Sequence, residues 1–390
     1  MTPLLRKFLG HNWMLFLTVL GLLIFGVFAV YSSCWMREEA DLATKWRDHI
    51  LFAAAGLVVY LVASLIDYRW LKYLAIPAYL VSVGLVLMAK ENVYGTEGWI
   101  KIGGFAFQPS QLMIASGIIL IATIISQIQR IHSIFRHPML RLLSAGAVAG
   151  LSVLLVLKQG DMGSAMVWIP VFAAMIVVGN IPFRYIITLS LVATLLIPFA
   201  FYFGLKPYQK TRITVLFDML QGKKVDTAGE AWSYYNNVTA IGSGGWQGKG
   251  FKSAETMNAK GFISKTTAIN DFIFVVVGEE HGFRGGLLLI VTFLFLLLQC
   301  LFIAFFSRDV MGRLIVAGVV GLIFAHTYQN IGMDLLIMPI TGIPLPLISY
   351  GGTFTVIVMG LLGLVQSVWV NRHDYESSEV RSGMSVDMLD

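Results

Sequence analysis

In AINDFIFVVVGEEHGF, residues 268–283, a carboxylate stands at the threshold of a long apolar run. It is Asp271, followed two turns later by Glu279 and Glu280 and then by His281. An ionisable side chain in such a place has two common roles. It caps the helix that follows, because Asp is favoured at the N-cap and in the first turn. Otherwise it lines a polar cavity, where a carboxylate can accept a proton. Residue spacing leaves both open. Glu279 and Glu280 lie deeper in the run and need internal partners. Arg284, at i+4 from Glu280, is placed to supply one, which suits a structural role.

Three other stretches carry chemistry-bearing residues. QGDMGSA (159–165) sets Asp161 between two apolar runs, as an N-cap or as a second polar group facing outward. IGSGGWQGKG (241–250) resembles a phosphate loop but is not a P-loop: Ser243 stands where a glycine is needed, and Gly250 where Ser or Thr is needed. It reads either as a flexible turn or as a nest of backbone N–H groups holding a phosphate, with Lys249 as a point charge. NIGMDLLIMPITGIPLPLISYGG (330–352) is rich in Pro and Gly at a membrane boundary. Non-helical backbone at that depth must be buried in protein or line a wet cavity, which favours a site. His326, in mid-span, reads as a hydrogen-bonded packing residue.

The elements that must position these groups follow from composition. The 390 residues are 57% hydrophobic and 13% charged, with a mean hydropathy of +0.76. Soluble domains carry about 25% charged residues. The apolar runs do not alternate, which excludes an outer-membrane barrel. The fold class expected is all-α, a polytopic membrane protein with about ten transmembrane helices: 12–32, 49–66, 72–89, 108–127, 141–157, 164–179, 184–204, 271–303, 311–331 and 346–372. Basic residues set the orientation: Arg6 and Lys7, Arg69 and Lys72, Arg130, Arg136 and Arg141, Arg184, Arg308 and Arg313, and Arg372 fall on alternate sides, so both termini are expected to be cytoplasmic. These loops account for most of the net charge of +6, and nucleic-acid binding is not implied. The basic N-terminus precedes a run too long for a signal-peptide core and reads as a retained first span. Residues 1–372 form one transmembrane domain, and 373–390 a polar, disordered tail. Cys34 and Cys300 fall near opposite faces, too far apart for a disulfide.

One long extracytoplasmic loop, about 205–270, breaks the pattern. It carries Lys206, Lys210, Arg212, Lys223, Lys224, Lys249 and Lys252 among Tyr208, Trp232, Tyr234, Tyr235 and Trp246. That mixture suits a surface meeting lipid headgroups. A short interfacial helix is expected within TAGEAWSYYNNVTAI (227–241).

The motifs FAFQPSQL, QGDMGSA, YQKTRI, AIGSGGWQGKGF, NDFIFVVVGEEHGF and NIGMDLLIMPITGIPLPLISYGG follow one another as they do in the SEDS family of bacterial shape, elongation, division and sporulation proteins. The chain resembles that family over nearly its whole length. With Pro344 in GIPLPLISYGG it is more similar to the RodA branch than to the FtsW branch. The resemblance implies ten spans in the cytoplasmic membrane and a peptidoglycan glycosyltransferase. Such an enzyme polymerises lipid II, a disaccharide-pentapeptide on undecaprenyl pyrophosphate, for cell elongation and rod shape. It works with a class B penicillin-binding protein. The family's essential aspartate precedes FIF, which is Asp271 here. The leaving pyrophosphate departs as a stabilised anion, so the chemistry needs one base for the acceptor hydroxyl, and a base opposite the leaving group implies inversion. Cations balance the departing charge, whether Mg or Mn or Lys/Arg side chains. Lys210, Arg212 and Lys249 are the expected pyrophosphate or headgroup contacts. Gln108, Ser110 and Asp161 are expected to touch substrate, and Ser349, Tyr350, Gly351 and Gly352 to shape the cavity.

The chain also departs from the family pattern. Thr266 and Thr267 stand where the family usually has Pro-Glu, and Ile269 and Asn270 where it has His-Thr. Gln111 and Ile114 replace a charged pair, so no orphan charge is left. Gly98 replaces the arginine before Trp99, and Lys101 is a candidate to supply its charge. Asp334 is an additional outer-side carboxylate. Two other functions fit the same features: a transporter of lipid-linked precursor, since polar breaks in apolar segments suit transporters, and a scaffold for a penicillin-binding protein.

Overall fold

A computed structural model of the chain describes residues 3–35, 40–93, 96–102, 105–131, 137–199, 202 and 204–373. Arg136 and the tail from 374 onward lie outside them. Thirteen α-helices are described. In order they are α1 (Pro3–Leu9), α2 (Trp13–Ser33), α3 (Ala40–Leu65), α4 (Leu71–Met88), α5 (Pro109–Ile131), α6 (Pro138–Lys158) and α7 (Met162–Val178). There follow α8 (Phe183–Phe199), α9 (Pro207–Leu220), α10 (Trp232–Ser243), α11 (Ile273–Phe306), α12 (Val310–Asp334) and α13 (Gly352–Val370). Eight of them, or the apolar parts of them, are long and apolar enough to cross a membrane, and α7 and α8 are shorter apolar helices. Each of the ten expected spans coincides with a helix, so the chain is a multi-pass helical membrane protein.

Local chemistry sets the helix starts. Asn12, Asp161 and Asp309 are N-caps whose side chains accept from the backbone N–H of Leu15, Ser164 and Gly312. Pro138 occupies the first turn of α6, where a missing N–H costs nothing. α5, α12 and α13 are the most buried spans. α13 packs along α3, α12 along α7, and α4 along α5. One apolar core runs through them, with Ile118, Trp168, Met175, Leu314, Val319 and Met359 fully or almost fully buried. Exposed Leu154, Ile169, Leu195 and Phe305 face outward, as lipid-facing residues must.

The composition gives no hint of strand, yet a small antiparallel sheet is present: β1 (Glu91–Val93), β2 (Thr96–Ile102) and β3 (Phe105–Phe107), in the order β1-β2-β3. Ile100 pairs with Phe107 and Ile102 with Phe105, which delivers the chain to Gln108 at the start of α5.

The expected loop 205–270 is a folded cap. α9 and α10 enclose Val215, Leu216, Ala231 and Tyr234, packed with Leu336 and Ile340. Ala240, Ile263, Ala268, Phe272 and Met333 form a second cluster beside it. The short helix expected in 227–241 is α10.

α11 is broken at Gly282 (φ 63°, ψ −163°). The IGSGGWQGKG segment clasps the break. Lys249 and Gly250 donate their N–H groups to the carbonyls of Glu279 and Glu280, and the N–H groups of Phe283 and Arg284 reach the carbonyls of Gly245 and Trp246. A Cβ on Gly248 would lie 2.1 Å from Glu280 O, and one on Gly282 would lie 2.4 Å from Gly248 N. The glycines permit this contact between two backbones.

Candidate active site

Asp271 lies two residues before α11 and does not cap it. The N-cap is Phe272, which makes no side-chain cap bond. Among the described residues, none donates a hydrogen bond to the Asp271 carboxylate. Instead the carboxylate opens onto a cavity of about 970 Å³, at the upper end of the usual range for ligand sites.

The backbone around Asp271 is held firmly. Asn330 on α12 donates from Nδ2 to the carbonyls of Asp271 (2.7 Å) and Ile343 (2.8 Å). Ser349 Oγ donates to Asn270 O and accepts from Leu345 N. Tyr350 N donates to Ile269 O at 2.8 Å. Residues 335–351 thus form a non-helical strap laced to the segment bearing Asp271. His326 packs against Phe354 (4.5 Å) and its Nδ1 lies 3.2 Å from Pro344 O, so it pins the strap as a packing residue. Gly342 (φ 74°) adopts the left-handed backbone, and a Cβ there would touch Asp271 Oδ2 at 3.4 Å.

The rest of the cavity comes from distant parts of the chain. Asp161 caps α7 through Oδ1 and accepts from Gln108 Nε2 through Oδ2 (3.1 Å), so it both caps and lines. Arg212 on α9 lines it as well, donating to Ile340 O at 3.0 Å. Tyr234 supports both ends of that contact: its hydroxyl donates to Arg212 O and accepts from Ile340 N. Tyr208 OH and Gln209 Nε2 donate to Gly160 O beside Asp161. Tyr350, Gly351 and Gly352 also line the cavity, with Thr266, Thr267, Asn270, Gln111 and Trp99. Burial pushes the Asp271 carboxyl up to about 7; Arg212 pulls it down and Asp161 adds to the rise. Burial raises Asp161 too, against hydrogen bonds from Ser164.

Some expected residues stand elsewhere. Lys249 does not line the cavity: its ammonium pairs with Glu279 at 2.6 Å, and Glu279 also accepts from Met257 N and Ser243 Oγ. The lysine neutralises a fully buried carboxylate and holds no phosphate nest. Lys210 donates to Tyr202 O away from the cavity. Ser110 is buried under it rather than lining it, and Ser349 acts through the strap. Glu280 does not pair with Arg284: Ser32 Oγ donates to it, and the break at Gly282 turns Arg284 toward Trp246. Lys101 pairs across the sheet with Glu91 at 3.2 Å and does not replace the charge missing at Gly98. Asp334 is fully buried, accepts from Asn237 Nδ2 at 3.0 Å and does not line the cavity. Cys34 and Cys300 are both buried and are not joined in a disulfide.

Sequence reasoning missed Asn330, and also Lys45 and Asp48, which line the cavity from α3. No local motif marks Lys45 and Asp48, since only the packing of α3 on α13 brings them there, whereas Asn330 opens the NIGMDLL stretch. Among the described residues, no group of three or more His, Cys, Asp or Glu is placed to hold a metal ion.

The FtsW/RodA/SpoVE model, described as a cell cycle protein, matches residues 12–374. The chain belongs to this family. Among the FtsW/RodA/SpoVE relatives, the peptidoglycan glycosyltransferase RodA of Treponema pallidum (strain Nichols) is 28% identical, over 93% of this chain and 98% of the relative. The peptidoglycan glycosyltransferase MrdB of Escherichia coli (strain K12) is 28% identical over 90% and 93%. In fold, this family member matches a chain from a peptidoglycan synthase complex that coordinates polymerization and crosslinking (TM-score 0.74, 24% identity, 93% of this chain and 98% of that one). It also matches the rod shape determining protein RodA of Thermus thermophilus (TM-score 0.63, 21% identity, 93% and 98%).

Proposed function

We propose that this chain is a peptidoglycan glycosyltransferase that polymerises lipid II in the cytoplasmic membrane, for elongation and rod shape. The observation that carries the reading is the half-buried Asp271 carboxylate opening onto a cavity that Arg212 shares. Its relatives named as peptidoglycan glycosyltransferases support the same reaction. Both termini are then cytoplasmic, and the cavity with its cap faces outward.

The chemistry follows from the groups present. The acceptor sugar hydroxyl attacks the anomeric carbon of a lipid-linked disaccharide. Its proton passes to an Asp271 carboxylate oxygen as the new C–O bond forms. The bond from the anomeric carbon to the pyrophosphate breaks, and its electron pair leaves with the phosphate. Attack from the side opposite the leaving group inverts the anomeric centre. Arg212, fixed by Ile340 and Tyr234, offsets the departing charge. Gln108 and Asp161 present hydrogen-bonding groups to the sugar, and Tyr350, Gly351 and Gly352 form the wall. Lys210, on the outer helix α9, meets headgroups. A class B penicillin-binding protein crosslinks the strands, a pairing supported by the fold's likeness to a chain of a synthase complex.

Purified protein in lipid nanodiscs, given fluorescent lipid II with and without the transpeptidase, is expected to yield glycan ladders on a gel. Sugar translocation without ladders would identify a transporter instead. Rescue of rod shape by Asp271→Ala would identify a scaffold.

A further inference from the structure

The fold leaves two buried side-chain atoms on the cavity wall without a hydrogen bond. Among the described residues that line the cavity, these are Asn270 Oδ1 and Thr341 Oγ1. Both residues stand beside the base. Asn270 directly precedes Asp271. Thr341 precedes Gly342, where a Cβ would lie 3.4 Å from Asp271 Oδ2. Their backbones are fixed. Asn270 N donates to Thr267 O, and Asn270 O accepts from Ser349 Oγ. On either side of Thr341, Arg212 holds Ile340 O and Asn330 holds Ile343 O.

A buried polar atom without a partner is costly, and a ligand that completes it recovers that cost on binding. Neither side chain has a part in the proton transfer or in the leaving-group contact. Their place decides what completes them. Asp271 takes its proton at the reacting anomeric carbon, so the groups flanking it face the substituent on the next ring carbon. A carboxamide and a hydroxyl together suit a ligand group that both donates and accepts. A 2-acetamido group carries an N–H and a C=O on one planar amide. It therefore meets a carboxamide in either of the carboxamide's two orientations and leaves an acceptor or donor for the hydroxyl. A plain 2-hydroxyl is too short to engage both. In the substrate of the proposed reaction, the sugar that bears the pyrophosphate carries an acetamido group at that carbon.

Resting on the glycosyltransferase reading, we propose that Asn270 and Thr341 bind the acetamido group of the pyrophosphate-bearing sugar and so select 2-acetamido over 2-hydroxy sugars. They set substrate choice, while Asp271 and Arg212 serve the bond change.

The test uses the full chain in nanodiscs and compares two substrates of equal charge. One is lipid II, and the other is its analogue with a 2-hydroxyl in place of the 2-acetamido group on the pyrophosphate-bearing sugar. The readout is the ratio of their kcat/KM values, which does not depend on the folded fraction. Wild type is expected to favour lipid II about 10²-fold, about tenfold for each hydrogen bond lost. Asn270→Ala and Thr341→Val are each expected to cut that preference about tenfold, by slowing lipid II and not the analogue. In Asp271→Asn protein, too slow to consume its substrate, Asn270→Ala is expected to weaken binding of lipid II about tenfold and to leave the analogue's affinity in place. An unchanged preference in both variants would overturn the proposal, as would wild-type protein that uses the two substrates equally. A wild-type protein that forms no ladders would overturn the parent reading, while the binding arm still decides the role of Asn270.

Discussion

Replacing Asp271 by asparagine is expected to lower lipid II polymerisation by about 10²- to 10⁴-fold, the range for loss of a positioned general base. The substitution keeps shape and removes only the proton acceptor. No fold contact is lost with it, because Asn330 and Gly342 meet the backbone and the edge of the carboxyl rather than its charge. Stability moves the other way. A carboxyl raised from its ordinary value to about 7 is ionised first in the unfolded chain. The folded state therefore loses stability as pH climbs from about 4 towards 7 and keeps that deficit above it. Asp271→Asn protein should accordingly unfold at an equal or higher temperature than wild type at pH 8. Inactive protein with a lowered unfolding temperature would point to a structural role for Asp271.

The second large effect is expected at Gly163, which carries no functional group. A Cβ there would lie 2.4 Å from Ile343 Cγ2 and 2.9 Å from Thr341 O. Thr341 O belongs to the strap backbone, which cannot step aside without carrying Gly342 and Ile343 with it. Ile343 O shares the Asn330 amide with Asp271 O, so displacement of the strap reaches the base. Gly163→Ala is expected to cut kcat about 10²-fold, the scale of an ångström-level misplacement. An overpacking cost of about 1–3 kcal/mol should accompany it, seen as earlier thermal unfolding. Gly150→Ala is the control: a Cβ at this helical position in α6 meets nothing within 4 Å, and its helix propensity improves. If Gly163→Ala matched Gly150→Ala in rate and stability, the strap would not be the element that positions Asp271.

The spans were legible because each is an apolar run ended by basic, Pro or Gly residues, and lipid leaves a helix as the only way to satisfy that backbone. The strap was legible for the opposite reason: Pro339, Pro344 and Pro346 cannot continue a helix. Asp271, Asp161 and Arg212 were found through motifs and do meet in one cavity. The glycine-rich 241–250 segment misled, because glycine serves close backbone contact as readily as anion binding. Its partner, the broken turn at Gly282, lies more than thirty residues away. Lys249 and Glu279 illustrate the same limit, since neither sequence neighbourhood announces the other. The small sheet at 91–107 was hidden by its brevity, and Lys45 and Asp48 by their place at the start of an ordinary amphipathic helix.

The central claim is that the Asp271 carboxylate, with its proton affinity raised by burial, is the base that activates the acceptor hydroxyl. The most direct test is the pH dependence of kcat/KM for lipid II polymerisation by the wild-type protein, with thermal unfolding followed over the same range. The account predicts an acidic limb with its midpoint near 7, falling about tenfold per pH unit below it. A rate that stays level down to pH 5 while the protein remains folded would contradict it.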